Sequence, residues 1–452
     1  MADTIAAIAT GNVLSAIGIV RLSGDRAIEL ASALFLPMNG RKLDSCADRT
    51  LIYGKAADRK GNILDLCLCT IAHAPNSYTG EDTAEFQCHG SPVVLRSLLD
   101  ELFFLGARQA LPGEFTKRAF LNGKMELTAA EAVADLIDAE TKESVVNAAG
   151  QLSGAIDRKM VEIYSRLTDI SSHYHAVLDY PDEDIEPFRM EAYARELEDI
   201  TASLEKLLAS FDRGRLMTSG IPAVIVGKPN VGKSSLLNAL LGYERAIVTQ
   251  VPGTTRDTIE EKVMIGKVSL RLTDTAGIRE TEDLVESIGV ERSRRAMNDA
   301  RLVIAVVDGS TEPDREDLAL VKEAEKAPKG LVILSKKDLS DREIYLDTSL
   351  PVIRLSALTG QGIEELEKTI EEEFPEPDVP AGEILTNTRH ASAVGRALES
   401  MRAALEAMRS GNTPDIVLTE TEGAMQAIGE LTGRTIREDV TDRIFERFCV
   451  GK

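Results

Sequence analysis

One short segment restricts the fold of this chain more than any other, because it requires a defined strand and helix around it. The apolar residues 223–226 lead directly into Gly227-Lys-Pro-Asn-Val-Gly232-Lys233-Ser234, and the helical text SLLNALLG follows. This is G-x-x-x-x-G-K-[ST] in the setting that the motif needs. The glycines let successive backbone N–H groups face phosphates, while Lys233 neutralises phosphate oxygens and Ser234 reaches magnesium. The segment predicts a phosphate-binding loop.

Two later motifs predict how a third phosphate and its metal are held. The strand-like SLRLTD ends in Asp274-Thr-Ala-Gly277, a D-x-x-G arrangement. Its carboxylate holds magnesium through water, and the Gly277 N–H bonds the γ-phosphate. Between this motif and the phosphate-binding loop lies Gly-Thr-Thr-Arg-Asp at 253–257. We expect Thr255 to complete the magnesium shell when this loop closes.

The base of the bound nucleotide is expected to be guanine. The run LVILS is followed by Ser335-Lys336-Lys337-Asp338, close to N-K-x-D, and PVIRLS leads into Ser356-Ala357. The Asp338 carboxylate can accept both the ring N–H and the exocyclic amine of guanine, which adenine cannot supply together. Ser335 replaces the usual Asn, and its shorter side chain predicts a lost contact to the base and to the phosphate-binding loop.

The group that positions the attacking water is less clearly marked. Many related sites place a Gln after D-x-x-G, but this chain has Ile278, which cannot orient water. Glu286 in the acidic segment ETEDLVES is the best-placed candidate. The residues alone favour the alternative that Glu286 is one of several solvated acids.

The pattern along the chain predicts a multidomain fold of α/β plus all-α type. Short β-type runs and one helix from 92 to 105 form an N-terminal α+β part, and helical periodicity starts near Thr128. Apolar strands then alternate with helices, as in a parallel sheet, before a Pro-rich linker and further helices. We expect a helical domain interrupted by an inserted Ras-like P-loop G domain. The predicted bounds are 1–120 for the N-terminal α+β domain and 217–378 for the inserted G domain. The two parts of the helical domain are predicted at 121–216 and 379–452.

Composition argues for a soluble protein that remains in the cytoplasm. No apolar run reaches the length of a membrane span, and the apolar opening lacks a basic n-region. The odd, scattered set of Cys46, Cys67, Cys69, Cys88 and Cys449 argues against a disulfide framework and shows no metal-ligand spacing. A net charge of -22 argues against a general nucleic-acid coat, so any RNA contact must use local basic patches.

Several segments spread over the whole chain resemble one family. They are GKPNVGKSS, VPGTTRD, DTAGIRE, the N-terminal RLSG, APNSYTGEDTAEFQCHG and LPGEFTKRAFLNGK, the helical YPDEDI, and the ending Phe448-Cys449-Val450-Gly451-Lys452. Together they are similar to the MnmE family, also called TrmE, of bacterial tRNA-modification GTPases. Such distributed agreement is far more specific than one nucleotide motif.

The resemblance implies a homodimer held by N-terminal domains and a flavoprotein partner, MnmG. Together these would add an aminomethyl-type group to C5 of the wobble uridine of certain tRNAs. A tetrahydrofolate derivative in a folate-binding-like N-terminal domain would supply the carbon. The folate contacts implied are Arg21, Glu85, Lys124 and Lys452. Without the resemblance, Arg21 and Glu85 would be interpreted as an ordinary ion pair.

The resemblance also implies a potassium ion beside the nucleotide and strengthens Glu286 as the water-positioning residue. Asn230, Thr249, Val251 and Thr254 would surround the potassium, while Ser234 and Thr255 would hold magnesium. The complete set of GTP contacts expected from the motifs and the resemblance is Asn230, Val231, Gly232, Lys233, Ser234, Ser235, Thr249, Gln250, Val251, Pro252, Gly253, Thr254, Thr255, Asp274, Thr275, Ala276, Gly277, Ser335, Lys336, Asp338, Ser356 and Ala357.

Cys449, near the end of the sequence, requires separate consideration. It is not a prenylation site, because Gly451 and Lys452 are not the residues that such a box uses. The thiol is either frayed and idle or brought to a site by the residues before it, of which Ile444, Phe445 and Phe448 would serve as anchors. The resemblance favours the second reading, with Cys449 as a nucleophile or acid in the modification.

Two other functions remain open at this point. One is a regulatory GTPase of ribosome assembly without modification chemistry, although no KH-type GxxG loop is present. The other is a folate-binding dimer with a degenerate G domain, against which the complete phosphate motifs argue. Analysis of tRNA nucleosides separates an enzyme of modification from an assembly switch.

We expect GTP hydrolysis to be faster in potassium than in sodium, because the resemblance implies a potassium ion held by oxygen ligands that include Asn230. Asn230→Ala should reduce the difference between the two salts. Glu286→Ala should slow turnover while nucleotide binding survives, since Ile278 cannot orient the water. Steady-state phosphate release in the two salts, together with nucleotide titration, measures all three effects. Equal rates in both salts would show that the ion assignment is wrong.

Overall fold

The computed structural model describes residues 3–11, 13–179, 190–243, 261–272, 297–340, 342–375, 379–433, 444–445 and 448–451. Within them the chain divides into two compact units. Unit 1 comprises Met1–Ile137, Ala148–Thr201 and Arg396–Lys452, and unit 2 comprises Asp138–Asn147 and Ala202–Gly395. None of the described helices has the length and apolar character needed to cross a membrane.

The strands are β1 Ile5–Ile8, β2 Ile17–Ser23, β3 Phe35–Pro37, β4 Ile52–Ala57, β5 Ile63–Ala72, β6 Thr83–His89, β7 Arg108–Gln109, β8 Ile221–Val226, β9 Glu261–Ile265, β10 Val268–Leu272, β11 Leu302–Asp308, β12 Lys329–Ser335 and β13 Val352–Arg354. The helices are α1 Ala27–Leu34, α2 Pro92–Phe104, α3 Glu114–Leu121, α4 Leu127–Ile137, α5 Lys142–Leu152, α6 Ala155–Asp179, α7 Met190–Ser219, α8 Lys233–Tyr243, α9 Arg315–Ala324, α10 Ile363–Glu373, α11 Thr388–Arg409 and α12 Pro414–Thr432.

The N-terminal part of unit 1 is an α+β fold, as the sequence predicts. Its described strands form one sheet in the order β3-β4-β5-β6-β2-β1-β7. Neighbouring strands from β4 through β5, β6 and β2 to β1 pair antiparallel, while β1 pairs with β7 in parallel. Alternate residues of β5 and β6 face a core that also contains Leu30 of α1 and Leu98 of α2. The helix predicted from 92 to 105 is confirmed as α2, and Pro92 fits its first turn because a proline there forfeits no helical hydrogen bond.

The helical part of unit 1 lies on both sides of the G-domain segment in sequence. Helix α6 packs against α12, and α12 also packs against α4. Helix α7 carries an apolar stripe, in which Leu197, Ile200, Leu204 and Leu207 are buried. Helix α11 carries a second such stripe, formed by the buried Val394, Leu398, Met401 and Leu405.

Unit 2 contains the predicted parallel α/β sheet. Its described strands have the order β13-β12-β11-β8-β10-β9, and all pair parallel except β9 with β10. Ile221, Ala223 and Ile225 of β8 enter one core cluster, while Val224 and Val226 enter the cluster on the opposite face. Burial on both faces explains why these strands are continuous apolar runs in the sequence.

The C-terminal residues of the chain lie against the N-terminal sheet within unit 1. Val450 forms an isolated antiparallel bridge with Pro112, and the Gly113 N–H donates to the Cys449 carbonyl at 3.4 Å. Phe445 and Phe448 are buried, with ring centroids 5.3 Å apart. Gly451 has a φ of 101°, and a Cβ there would lie 2.5 Å from the Ile8 carbonyl oxygen, so only glycine fits.

Candidate functional site

The phosphate-binding loop connects β8 to α8, as predicted. Asn230 and Gly232 have φ angles of 63° and 101°, so the chain curls as an anion-binding turn requires. A Cβ at Gly227 would lie 2.4 Å from the Val306 carbonyl oxygen, which makes glycine necessary where the loop passes β11. The loop therefore opens at the carboxyl ends of the parallel strands, the usual ligand position in such sheets.

Lys233 is half-buried at the first position of α8. Its Nζ donates to the carbonyls of Gly227 and Lys228 at 2.8 and 2.6 Å. Burial lowers the pKa of Lys233, because desolvation disfavours the charged form. The adjacent Ser234 and Ser235 are exposed at the helix N-terminus. An anion placed there would meet the ammonium group and the positive end of the helix dipole.

Lys228 fastens the same loop to the start of α9, a contact that the sequence reasoning missed. Its Nζ lies 2.6 Å from Asp314 Oδ2 and 2.8 Å from Asp317 Oδ2. Asp314 also caps α9 by accepting from the N–H groups of Glu316 and Asp317. The Lys228 bond lowers the pKa of Asp314 to about 2. The sequence gives no signal for this pair, since Lys228 and Asp314 are 86 positions apart.

Ser335 lies at the end of β12 and is buried. Its Oγ donates to the Val231 carbonyl at 2.5 Å and lies 3.1 Å from the Val307 carbonyl. The expectation that serine loses contact with the phosphate-binding loop is therefore wrong. A hydroxyl reaches the loop because β12 and β8 end at the same edge of the sheet, on either side of β11.

The guanine-reading residues lie beside this contact. Asp338 Oδ1 accepts from Ser356 Oγ at 2.6 Å, and the buried Ser356 is fixed by its N–H bond to the Gln361 carbonyl at 2.9 Å. One carboxylate oxygen is thus oriented while the Asp338 side chain remains exposed. Ala357 follows Ser356 and is partly buried.

Lys336 has a left-handed backbone, with a φ of 58°. Its Nζ lies 2.6 Å from Asp308 Oδ2, a partner that the sequence reasoning missed. Burial raises the pKa of Asp308, but the bonds from Lys336 and Ser310 outweigh this and the net shift is downward. The position of Asp308 at the end of the apolar run LVIAVVD is the signal that could have indicated this pair.

A second group of predicted residues meets on the sheet of unit 1. Arg21 on β2 and Glu85 on β6 are register partners, and Arg21 Nε lies 2.6 Å from Glu85 Oε1. The Arg21 guanidinium lies 5.6 Å from the ring centroids of both Tyr78 and Phe115, two residues that the sequence reasoning missed. Arg21 Nη1 also lies 3.5 Å from the Gly451 carbonyl oxygen. A cation, a carboxylate and two aromatic rings therefore share one locality.

Lys124 and Cys449 lie near this group in the fold. Lys124 Nζ donates to the Pro75 carbonyl at 2.8 Å, in the loop that also carries Tyr78. Cys449 is an exposed free thiol, two residues before the carbonyl that Arg21 approaches. The alternative of a frayed terminus is not what the structure has, since Val450 is bridged to Pro112.

Other predicted site residues lie outside the described part of the chain. They are Glu286, Thr249, Gln250, Val251, Pro252, Gly253, Thr254, Thr255, Asp274, Thr275, Ala276, Gly277 and Lys452.

The fold and the nucleotide site together define a P-loop guanine-nucleotide-binding protein whose G domain is combined with α+β and helical parts. Two family models match the chain: "GTP-binding protein TrmE N-terminus" over residues 4–124 and "MnmE helical domain" over residues 127–449. The chain belongs to the MnmE family of tRNA modification GTPases.

Similar proteins extend along the full length of the chain. A protein of Alkaliphilus metalliredigens named "tRNA modification GTPase MnmE" is 42% identical, covering 100% of this chain and 99% of the relative. A protein of the same name from Acetivibrio thermocellus is 43% identical over the same shares. The solved G domain of the T. maritima FeoB iron transporter is 27% identical over 34% of this chain and 99% of its own, with a TM-score of 0.26, a likeness too slight to bear on the fold.

We expect Ser335→Ala to weaken GTP and GDP binding to a similar extent, by about 1 kcal/mol or roughly fivefold. The change leaves the Val231 carbonyl without its hydroxyl donor and frees the base-reading loop from the phosphate-binding loop. Fluorescent-nucleotide titration measures the effect, with the exposed Ser349→Ala as a matched control. Wild-type affinity in Ser335→Ala would show that the contact does not support the site.

Proposed function

We propose that the protein is a GTP-hydrolysing enzyme that, with the flavoprotein MnmG, adds an aminomethyl-type group to C5 of the wobble uridine of certain tRNAs. A tetrahydrofolate derivative supplies the one-carbon unit, and the reaction takes place in the cytoplasm. The observation that carries the proposal is the full-length similarity to proteins named tRNA modification GTPases. The arrangement of the two groups of site residues supports it further.

The geometry around the phosphate-binding loop supports GTP as the nucleotide. Lys233 lies where it can exchange its carbonyl partners for phosphate oxygens, and the curled loop offers N–H groups to the same anion. Asp338 supplies a carboxylate, oriented by Ser356, for the two donors of guanine. Adenine lacks that pair of donors, so GTP is preferred over ATP.

The proposed ion sites use oxygen-bearing residues next to the phosphates. Ser234 and Thr255 hold Mg2+, while Asn230, Thr249, Val251 and Thr254 surround K+. Ser234 at the start of α8 and Asn230 in the curled loop are both exposed at the phosphate-binding loop, which supports these roles. Both ions would neutralise charge on the phosphates during hydrolysis. Glu286 would orient the attacking water.

The group around Arg21 has the chemistry to hold a reduced folate. A pterin is flat and rich in N–H donors, which suits the Glu85 carboxylate and the rings of Tyr78 and Phe115. The glutamate tail of a folate is anionic and suits Arg21, Lys124 or Lys452. The Arg21–Glu85 ion pair keeps both side chains partly buried, with 19% and 26% exposure, so a ligand can still reach them.

Cys449 is proposed as the reactive thiol of the modification. Three contacts of the terminal segment support this role: the bridge of Val450 to Pro112, the Gly113 bond to the Cys449 carbonyl, and the approach of Gly451 to Arg21. They hold the backbone around this exposed cysteine against the N-terminal domain, with Gly451 beside Arg21. A thiolate there could act as a nucleophile, and a thiol as an acid.

A homodimer formed through the N-terminal domains is also proposed. Leu36, Tyr53 and Leu66 of β3, β4 and β5 are exposed on one face of the sheet, where the register brings Leu36 and Leu66 to either side of Lys55. Adjacent exposed apolar side chains on one face are typical of a surface that a partner covers.

We expect Cys449→Ser to leave GTP binding and hydrolysis intact while wobble-uridine modification falls severely. Serine keeps the shape of the side chain but lacks thiolate reactivity. GTP turnover of the purified variant is measured beside nucleoside analysis of tRNA from cells that carry it as their only copy. Cys46→Ser, which changes a partly exposed cysteine elsewhere in the N-terminal sheet domain, is the matched control and should have no effect.

Normal modification in Cys449→Ser would remove this thiol from the chemistry. Loss of GTP hydrolysis would instead assign the terminal segment a role in folding. In cells that lack the protein entirely, the wobble uridine should be unmodified. Modified wobble uridine in those cells would contradict the proposed function as a whole.

A further inference from the structure

Three side chains with metal-ligating atoms converge at one end of the N-terminal sheet. Asp65 and Cys67 lie on β5, and Cys88 lies on the adjacent strand β6. One carboxylate oxygen and the two Sγ atoms all lie within 4.8 Å of one another. Asp65 and Cys67 share a face because side chains two residues apart in a strand point the same way. The antiparallel pairing of β5 with β6 brings Cys88 opposite them.

The cluster of Asp65, Cys67 and Cys88 extends from the buried core, where its cysteines lie, towards the surface. Cys67 and Cys88 are 4% and 2% exposed and belong to the core under α1 and α2. The Asp65 side chain is 10% exposed, and His89 beside it is 75% exposed. The carboxylate of the cluster therefore lies towards the surface, while its two sulfurs lie in the core.

Asp65 is held in place by its neighbour. Its Oδ1 lies 2.8 Å from His89 Nδ1, and its Oδ2 accepts from the His89 backbone N–H at 2.8 Å. Hydrogen bonds of this kind orient ligating carboxylates and raise the affinity of metal sites. His89 is thus a positioning residue for the carboxylate.

The Cys67 and Cys88 thiols are hydrogen-bonded to each other in the core. The hydrogen bond with Cys67 and burial both raise the pKa of Cys88. A divalent cation would displace both thiol protons to solvent, forming two metal–sulfur bonds and one metal–oxygen bond without any redox change. The two positive charges of the ion would offset two of the three negative ligand charges, and the remaining charge would lie beside the partly exposed Asp65.

The ligand set selects the class of metal. Two thiolates favour zinc-class ions, whereas calcium and magnesium require oxygen ligands throughout. Zinc bonds of about 2.3 Å to sulfur and about 2.0–2.2 Å to oxygen place tetrahedral ligands within about 4 Å of one another. A small side-chain adjustment from the present spacing reaches that geometry, and the exposed end of the cluster leaves a fourth position for water.

We propose that Asp65, Cys67 and Cys88 form a binding site for a zinc-class divalent cation on the N-terminal sheet. The site is separate from the nucleotide loop, which lies in unit 2, and uses none of the residues proposed to contact folate. The spacing of cysteines in the sequence alone does not reveal it, because 20 intervening residues separate Cys67 from Cys88.

Titration of the full-length protein with Co2+ under a non-thiol reductant tests the site. One equivalent should produce a near-ultraviolet thiolate-to-cobalt charge-transfer band and tetrahedral d–d absorption, and Zn2+ should abolish both. Oxygen-rich sites at the nucleotide loop give no thiolate band, so they do not interfere. Cys67→Ala and Cys88→Ala should each lose the band.

Cys69→Ala is the matched control, since Cys69 is buried on the same face of β5 two residues further along. It should keep the band and the stoichiometry. Asp65→Asn and His89→Ala should each weaken Co2+ binding by at least about tenfold while preserving a thiolate band at high cobalt. GTP turnover and circular dichroism report whether each variant is folded.

No band in the wild-type protein would overturn the proposal and leave the cluster as core packing. A band that survives in folded Cys67→Ala and Cys88→Ala would overturn it equally, by assigning the thiolate to another cysteine. If the cysteine variants do not fold, the Asp65→Asn variant decides, and Co2+ binding as tight as that of the wild type would contradict the proposed site.

Discussion

The pairing of the C-terminal segment with the N-terminal sheet is the contact on which the arrangement of unit 1 depends. Val450 bridges Pro112, and Gly451 fits only because a Cβ would strike the Ile8 carbonyl. The bond from Arg21 to Gly451 joins residues 430 positions apart. The described residues of this segment make few polar contacts for so long a loop, and burial of Phe445 and Phe448 adds apolar stabilisation.

In unit 2, a hydrogen bond between two loops supports the nucleotide site. The loops that read phosphate and base come from separate strands, and Ser335 joins them through the Val231 carbonyl. Lys228 fastens the phosphate-binding loop to α9, and Lys336 is paired with Asp308 at the end of β11. All three contacts are made within the protein itself, and they hold the loops that read phosphate and base in position in the described part of unit 2.

Features of the fold and the nucleotide site that depend on local motifs could be predicted from the sequence. The phosphate-binding loop, the parallel strands and α2 depend on short-range patterns, and the structure has them at the expected positions. The contact of Ser335 with the loop depends on strand order in the folded sheet and was missed. Tyr78 and Phe115 lie beside Arg21 for the same reason. The domain bounds, the water-positioning role of Glu286 and the ion ligands stay predictions.

The central claim is that Arg21, Glu85 and the docked terminal segment form a reduced-folate site, and equilibrium dialysis with a tetrahydrofolate derivative tests it most directly. The full-length protein should bind the folate, and Glu85→Gln should weaken binding by about tenfold, since a charged hydrogen-bond acceptor becomes neutral. The exposed Glu29→Gln, on α1 of the same domain, should bind as the wild type does. No binding to the wild-type protein, or equal binding by Glu85→Gln, would contradict the account.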